Sequence, residues 1–320
     1  VDIHVSTQAN ITNYKAAQFW IELGAKRIIL ARELSFDEIK SIHQMNPQIE
    51  LEAFVHGAMC ISYSGRCLLS NFLSGRDANH GDCAQACRWK YNLVEQNRPN
   101  EFWPIEENQN GTFILNSKDL CMINYLDKIF DCGVTSLKIE GRMKSIYYVA
   151  AVTKIYREAI DDYFNDKNIY HGKKEYYLEE LEKVSHRHYS SGFYFGRQPN
   201  EIYQSSSYIK SYDFVGIIKD FDTKTFFATI EQRNKIQIGD ELEVLSKTKN
   251  FSFKVTQMYD ENGKQIFSAS HAQQVIKIKL PYVVEKMDLL RKKNCPLKIK
   301  FILIKINPCE RIIFFEKILN

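Results

Sequence analysis

Apolar residues recur in two different rhythms along this chain. Up to about residue 165, short blocks of consecutive aliphatics alternate with longer stretches in which apolar positions return every three or four residues. Beyond about residue 208 the pattern becomes short runs of alternation separated by polar turns. In the first rhythm, residues 3–5 read as a strand. Residues 12–23 then place Ala16, Ala17, Phe19, Trp20 and Leu23 on or near one face, a helix that Gly24 ends. Residues 26–31 are apolar enough for a strand buried on both sides. Ser35 with Glu38 three residues later forms a capping box for the next helix. A third strand covers 50–55. After a turn-rich stretch the pattern predicts a strand at 113–115, a helix at about 118–131 stopped by Gly133, a strand at 135–140 and a long helix from Ser145 to about 164.

A repeated strand–helix unit implies parallel strands joined by right-handed crossovers. The fold class read from this pattern is α/β: a partial TIM-type (β/α) barrel over 1–165, followed by a small antiparallel β-barrel domain over 208–290. The runs 214–218, 226–230, 241–245 and 252–255 carry the second domain. Residues 166–207, rich in Tyr, Lys and Glu, read as a connector, with His186, Arg187 and His188 as a solvated basic patch. Residues 291–320 are a basic and apolar tail.

Composition narrows the function classes. A chain of 320 residues with 44% hydrophobic content can bury a core, and its length suits two domains. No apolar run reaches the 18 or so residues of a membrane span. The net charge of +4 invites a nucleic-acid partner, yet residues 291–320 hold eight Lys/Arg against two Glu, which leaves 35 basic against 37 acidic residues over 1–290. Any RNA site is therefore a local patch rather than a global field.

The cysteines sharpen the picture. Cys60, Cys67, Cys83 and Cys87 place four of the chain's eight cysteines within 28 residues, spaced C-x6-C-x15-C-x3-C just past the third strand. Structural zinc favours paired C-x2-4-C knuckles, and Cys83-x3-Cys87 alone comes near that. Disulfides need an oxidising compartment, and no signal peptide is visible. An iron–sulfur cluster tolerates irregular spacing, because each thiolate binds its own iron. Cys121 and Cys132 sit in an apolar helical run and read as small buried hydrophobes. Cys295 and Cys309 lie in the tail.

Residues 52–70 match E-x-F-x2-G-A-x-C-x4-G-x-C-x-L-S without a gap, a signature that resembles the peptidase U32 (collagenase-like) family. Residues 4–10, 30–35 and 137–145 add supporting matches, so the resemblance covers most of 1–165. It implies an RNA-modifying enzyme with a [4Fe–4S] cluster on Cys60, Cys67, Cys83 and Cys87. The implied reaction forms 5-hydroxyuridine at the wobble position of tRNA, with prephenate as co-substrate, in the cytoplasm. It also implies that 1–165 is the C-terminal part of a barrel. Because Val1 already adjoins a strand, the expectation is a fragment or a late-starting reading frame, with the N-terminal barrel half supplied by the full-length protein or a second chain.

Parallel sheets place reacting groups at strand C-terminal ends. His56, Glu140 and Arg142 fall there as candidate catalytic residues, with Arg32, Arg66 and Lys138 as candidate substrate-binding residues. Arg142, Arg66 and Arg32 suit a dicarboxylate such as prephenate through their bidentate forks. Structural ion pairs, and for His56 a hydrogen-bonded core position, are the alternatives. Two further function classes stay open. One is a peptidase, although the chain has no G-x-S-x-G or H-E-x-x-H. The other is a non-catalytic RNA- or partner-binding fragment.

Overall fold

A computed structural model of the chain describes residues 1–60, 62–89, 107–108, 111–112, 118–196 and 208–294. The first region runs β1 (Ile3–Val5), α1 (Tyr14–Glu22), β2 (Ala25–Ile29), α2 (Phe36–Met45), β3 (Glu50–Ala58) and α3 (Leu69–Ser74). A two-stranded pair follows, β4 (Glu107–Asn108) with β5 (Gly111–Thr112), then β6 (Asp119–Cys121), α4 (Leu126–Asp131), β7 (Val134–Ile139) and α5 (Ile146–Asn165). It closes with α6 (Lys167–Gly172), α7 (Lys174–Leu181) and β8 (Tyr189–Ser190).

The parallel sheet is β1-β2-β3-β7, with β3 flanked by β2 and β7. The capping box forms as the sequence predicts, Ser35 and Glu38 each accepting from the other's backbone. One face of β3 presents Leu51, Ala53 and Val55, each at most 1% exposed, to the helices. The other face carries Glu52, which holds Ser136 and Lys138 at 2.9 Å and Arg27 at 3.4 Å. Among the described residues the parallel strands form an open sheet, and no closed barrel is present.

Two expectations change here. The helix expected at about 118–131 divides, because its first main-chain groups are taken by strands. His56 pairs with Cys121 as β6 runs antiparallel to β3, and the Met122 N–H donates to the Val55 carbonyl at 2.9 Å. Helix therefore starts later, at Leu126. The stretch read as a connector instead packs into the first core, where Tyr170, Tyr177, Leu181 and Val184 are fully buried. The strand expected at 113–115 and the tail beyond Asn294 lie outside the described residues.

The second region comprises β9 (Tyr212–Asp222), β10 (Phe227–Gln232), β11 (Ile236–Gln237), β12 (Glu241–Leu245), β13 (Phe251–Lys254), β14 (Met258–Asp260), β15 (Ser268–Ala269), β16 (Val275–Lys279) and β17 (Leu289–Lys293). Seven of these form one antiparallel sheet ordered β13-β12-β17-β9-β10-β16-β14, and β11 pairs with β15. The end strands β13 and β14 do not pair with each other, so hydrogen bonding leaves the expected small barrel open. Alternation along β10 and β16 sends Ala228, Ile230, Ile276 and Ile278 into a second core.

A buried seam joins the regions. Tyr147 on α5 stacks on Phe214 at 5.7 Å. Arg291, fully buried, bridges Glu180 on α7 at 2.7 Å and Glu243 on β12 at 2.5 Å. Burial works against the Arg291 charge, but Glu243, Tyr147 and Glu180 together raise its pKa.

Candidate functional site

The segment from Cys60 to Trp89 sits where the strand ends meet. After β1, the main chain at Gly65 presses on the Gln8 carbonyl so closely that a Cβ there would overlap it, and Gly65 has a φ of +69°. After β2, the Glu33 carboxylate accepts from the Ser64 N–H at 2.9 Å and from its hydroxyl at 3.0 Å. Beside it, Arg32 donates to the Ala58 carbonyl at 2.9 Å and to Cys60 Sγ at 3.4 Å, its guanidinium 3.9 Å from the Phe54 ring centre. Cys60 itself follows β3. After β7, Arg142 donates to the Cys83 carbonyl at 3.2 Å. Gly57 (φ +115°) lets β3 and β7 close up here, since a Cβ would strike the Glu140 backbone.

Internal bonds shape the rest of the segment. The Asn79 side chain brackets Cys67, accepting from its N–H at 3.0 Å and donating to its carbonyl at 2.8 Å. The buried Ser70 hydroxyl accepts from the Ala84 N–H at 2.9 Å, drawing the Cys83 end against α3. The Gln85 N–H points at Cys83 Sγ from 3.2 Å. Asn79 and Ser64 escaped the sequence reading, because the bonds they make span 12 or 31 residues and leave no local pattern.

All six described cysteines are thiols, not disulfides. Among the described residues no three His, Cys, Asp or Glu side chains converge tightly enough to hold a single metal ion. A cubane cluster makes a different demand, since its four thiolates bind four separate irons and stand further apart than the ligands of one ion. The donor set suits such a cluster: four thiols on one pinned segment, with an amide N–H and a guanidinium donating to two of the sulfurs. Cys121 and Cys132 are buried, and burial pushes the Cys121 thiol up to about 12, as inert core groups. Cys121 nevertheless lies on strand β6 rather than on a helix.

The remaining candidates scatter. Arg66 is exposed and donates to the Gly65 carbonyl at 3.2 Å. Lys138 is engaged by Glu52. Glu140 accepts from the Arg142 N–H at 3.1 Å, shaping the turn after β7. His56 is a core residue, 1% exposed, ringed by Tyr148, Tyr156 and Tyr189 at 5.3–5.9 Å between centroids. Burial lowers its pKa to about 3, so the ring is neutral. Tyr156 gives its hydroxyl hydrogen to the Val55 carbonyl at 2.7 Å, which assigns the ring hydrogen to His56 Nδ1, 3.4 Å from that oxygen. The buried core position, the alternative reading of His56, is where the structure places it. The basic patch is corrected. His186 and Arg187 are buried beside the fully buried Asp119, whose Oδ2 accepts the Arg187 N–H at 3.2 Å; His188 stays exposed.

No helix among the described residues is long and apolar enough to cross a membrane. Comparison with known proteins agrees with the signature in the sequence. Residues 1–204 match the family model "Peptidase family U32", and residues 210–291 match "Peptidase family U32 C-terminal domain". The chain is 41% identical to tRNA hydroxylation protein P1 of Bacillus subtilis over 91% of its own length and 69% of that protein's. It is 36% identical to tRNA hydroxylation protein P of Haemophilus influenzae, over 84% of this chain and 67% of that one. The 23S rRNA 5-hydroxycytidine C2501 synthase of Escherichia coli is 37% identical over 58% of this chain and 28% of its own. The chain thus spans about two thirds of the length of the tRNA hydroxylation proteins.

Proposed function

The chain belongs to peptidase family U32, and from that premise we propose that it is an RNA-modifying enzyme that hydroxylates C5 of the wobble uridine in tRNA. Its parallel sheet is, in this reading, an arc of a (β/α) barrel. The observation that carries the reading is the meeting of four strand ends on one thiol-bearing segment, in a chain whose relatives are named for RNA hydroxylation. Barrel enzymes place their chemistry at that end of the strands.

Cys60, Cys67, Cys83 and Cys87 would hold a [4Fe–4S] cluster, which supplies electron-transfer or structural ordering when bound. Arg32 holds the Cys60 end, with its guanidinium on the Ala58 carbonyl and the sulfur. Arg142 holds the Cys83 end and exposes the rest of its fork, suited to a carboxylate of prephenate. His56 shapes the floor beneath. A peptidase reading has less support: thiols committed as ligands are poor nucleophiles.

The test is nucleoside analysis of tRNA from cells that lack the protein, complemented with wild type or with Cys60→Ser or Cys83→Ser. Loss of 5-hydroxyuridine derivatives, restored by wild type but not by either variant, is the expected result. Unchanged derivatives in the deletion strain would overturn the assignment. Iron and sulfide analysis of anaerobically purified protein separately checks the cluster.

A further inference from the structure

The rim of the thiol segment displays large apolar side chains to solvent. Phe72 is 85% exposed, Leu68 75% and Tyr63 60%. Leu68 and Phe72 stand four residues apart, and the Phe72 N–H donates to the Leu68 carbonyl at 2.9 Å. They therefore project from one face, one turn apart. Their backbone is held firmly. Ser64 is pinned by Glu33, Gly65 abuts Gln8, Ser70 is buried, and Gly75 closes α3 in the left-handed conformation. A fixed backbone that turns Phe and Leu outward forgoes the stabilisation their burial would give, so the packing of the described residues alone does not account for them.

Positive charge stands two residues before Leu68 in the chain. Arg66 is exposed, has no carboxylate partner among the described residues, and adjoins Cys67, which Leu68 follows directly. Nearby Arg76 is neutralised by Asp82 at 2.7 Å. An unpaired nucleotide combines the two matching properties, a flat apolar base and an anionic phosphate.

Resting on the tRNA reading above, we propose that Tyr63, Leu68 and Phe72 form the platform on which unpaired bases beside the target nucleotide stack, with Arg66 on their phosphates. These are positioning residues, not catalytic ones. They place the RNA loop over the thiol segment.

The test uses the full-length protein with an unmodified tRNA transcript, and measures KM, kcat, Kd at fixed salt, iron content and Tm. Phe72→Ala and Leu68→Ala are expected to raise KM and Kd about 5- to 100-fold each, the range for losing one base–aromatic or base–apolar stack. Iron content, Tm and kcat should stay at the wild-type value, and Phe72→Trp should restore binding. Wild-type activity with unchanged KM in Phe72→Ala would overturn the platform alone. A fall of several degrees in Tm would show that other chain covers the face, and a change in self-association would show that protein does; either result also overturns it. A wild-type protein that neither binds nor modifies tRNA would overturn the tRNA reading itself.

Discussion

The thiol segment and the seam between the two regions both depend on charged and polar side chains, yet they are held in opposite ways. At the seam the charges are enclosed: Arg291 is fully buried between Glu180 and Glu243, with Lys183 bridging the same two carboxylates at 2.5 and 3.5 Å. In the thiol segment the polar bonds grip the main chain from outside, through Glu33, Asn79, Ser70 and Arg142. The seam is complete from this chain's own groups. The segment has a fixed backbone and outward side chains, the arrangement a binding site needs.

Acid should separate the two most strongly. His56 and His186 both pack against Tyr189 in the first region, and burial lowers both pKa values, His56 to about 3. Below pH 6.5 the unfolded chain takes up protons that these folded rings refuse, so stability falls as pH drops from 6.5 toward 3. For His56 the loss reaches about 5 kcal/mol. At the seam, burial raises the Glu180 pKa but Arg291 and Lys183 outweigh it, leaving the pKa below 4.5. Its contribution is therefore intact above 4.5 and is lost as pH falls through the folded value. Between pH 6.5 and 4.5, hydrogen exchange should rise in β3, β6 and α5 before it rises in β12 and β17. The reverse order breaks the contrast.

Arg291→Ala should have the next largest effect, about 3–5 kcal/mol, because the buried Glu180 and half-buried Glu243 lose the guanidinium between them and keep only Lys183. Urea unfolding reads the loss, and thiol accessibility in 60–87 should stay unchanged. Glu33→Ala is expected to cost less, about 1–3 kcal/mol, for two bonds at a partly exposed site. Its signature is local, namely faster alkylation of Cys60 and Cys67 with the second region unaffected.

Much of this was legible in local sequence. The Ser35–Glu38 capping box, the helix that stops before Gly24 and the alternation along β10 follow from short-range sterics and periodicity. The four-cysteine spacing likewise marked the segment that the strand ends surround. Residues 118–125 were misread because an apolar run fits helix or strand, and the Val55 carbonyl took the Met122 N–H. His186 and Arg187 were misread because charge alone suggests solvent, whereas the fold buries both, with the Arg187 main-chain N–H donating to the buried Asp119 carboxylate.

The sequence by itself determined most of the strands and helices of the first region, the spacing of the four cysteines and which family the chain resembles, since each depends on nearby residues. The tertiary structure decided which charges are enclosed, that His56 is a neutral core ring, and which apolar side chains of the thiol segment face outward. Those outcomes depend on contacts between residues 30 to over 100 positions apart, such as Ser64 with Glu33 and Arg291 with Glu180. Burial sets their energies, and no local pattern encodes the burial of a charged or polar group.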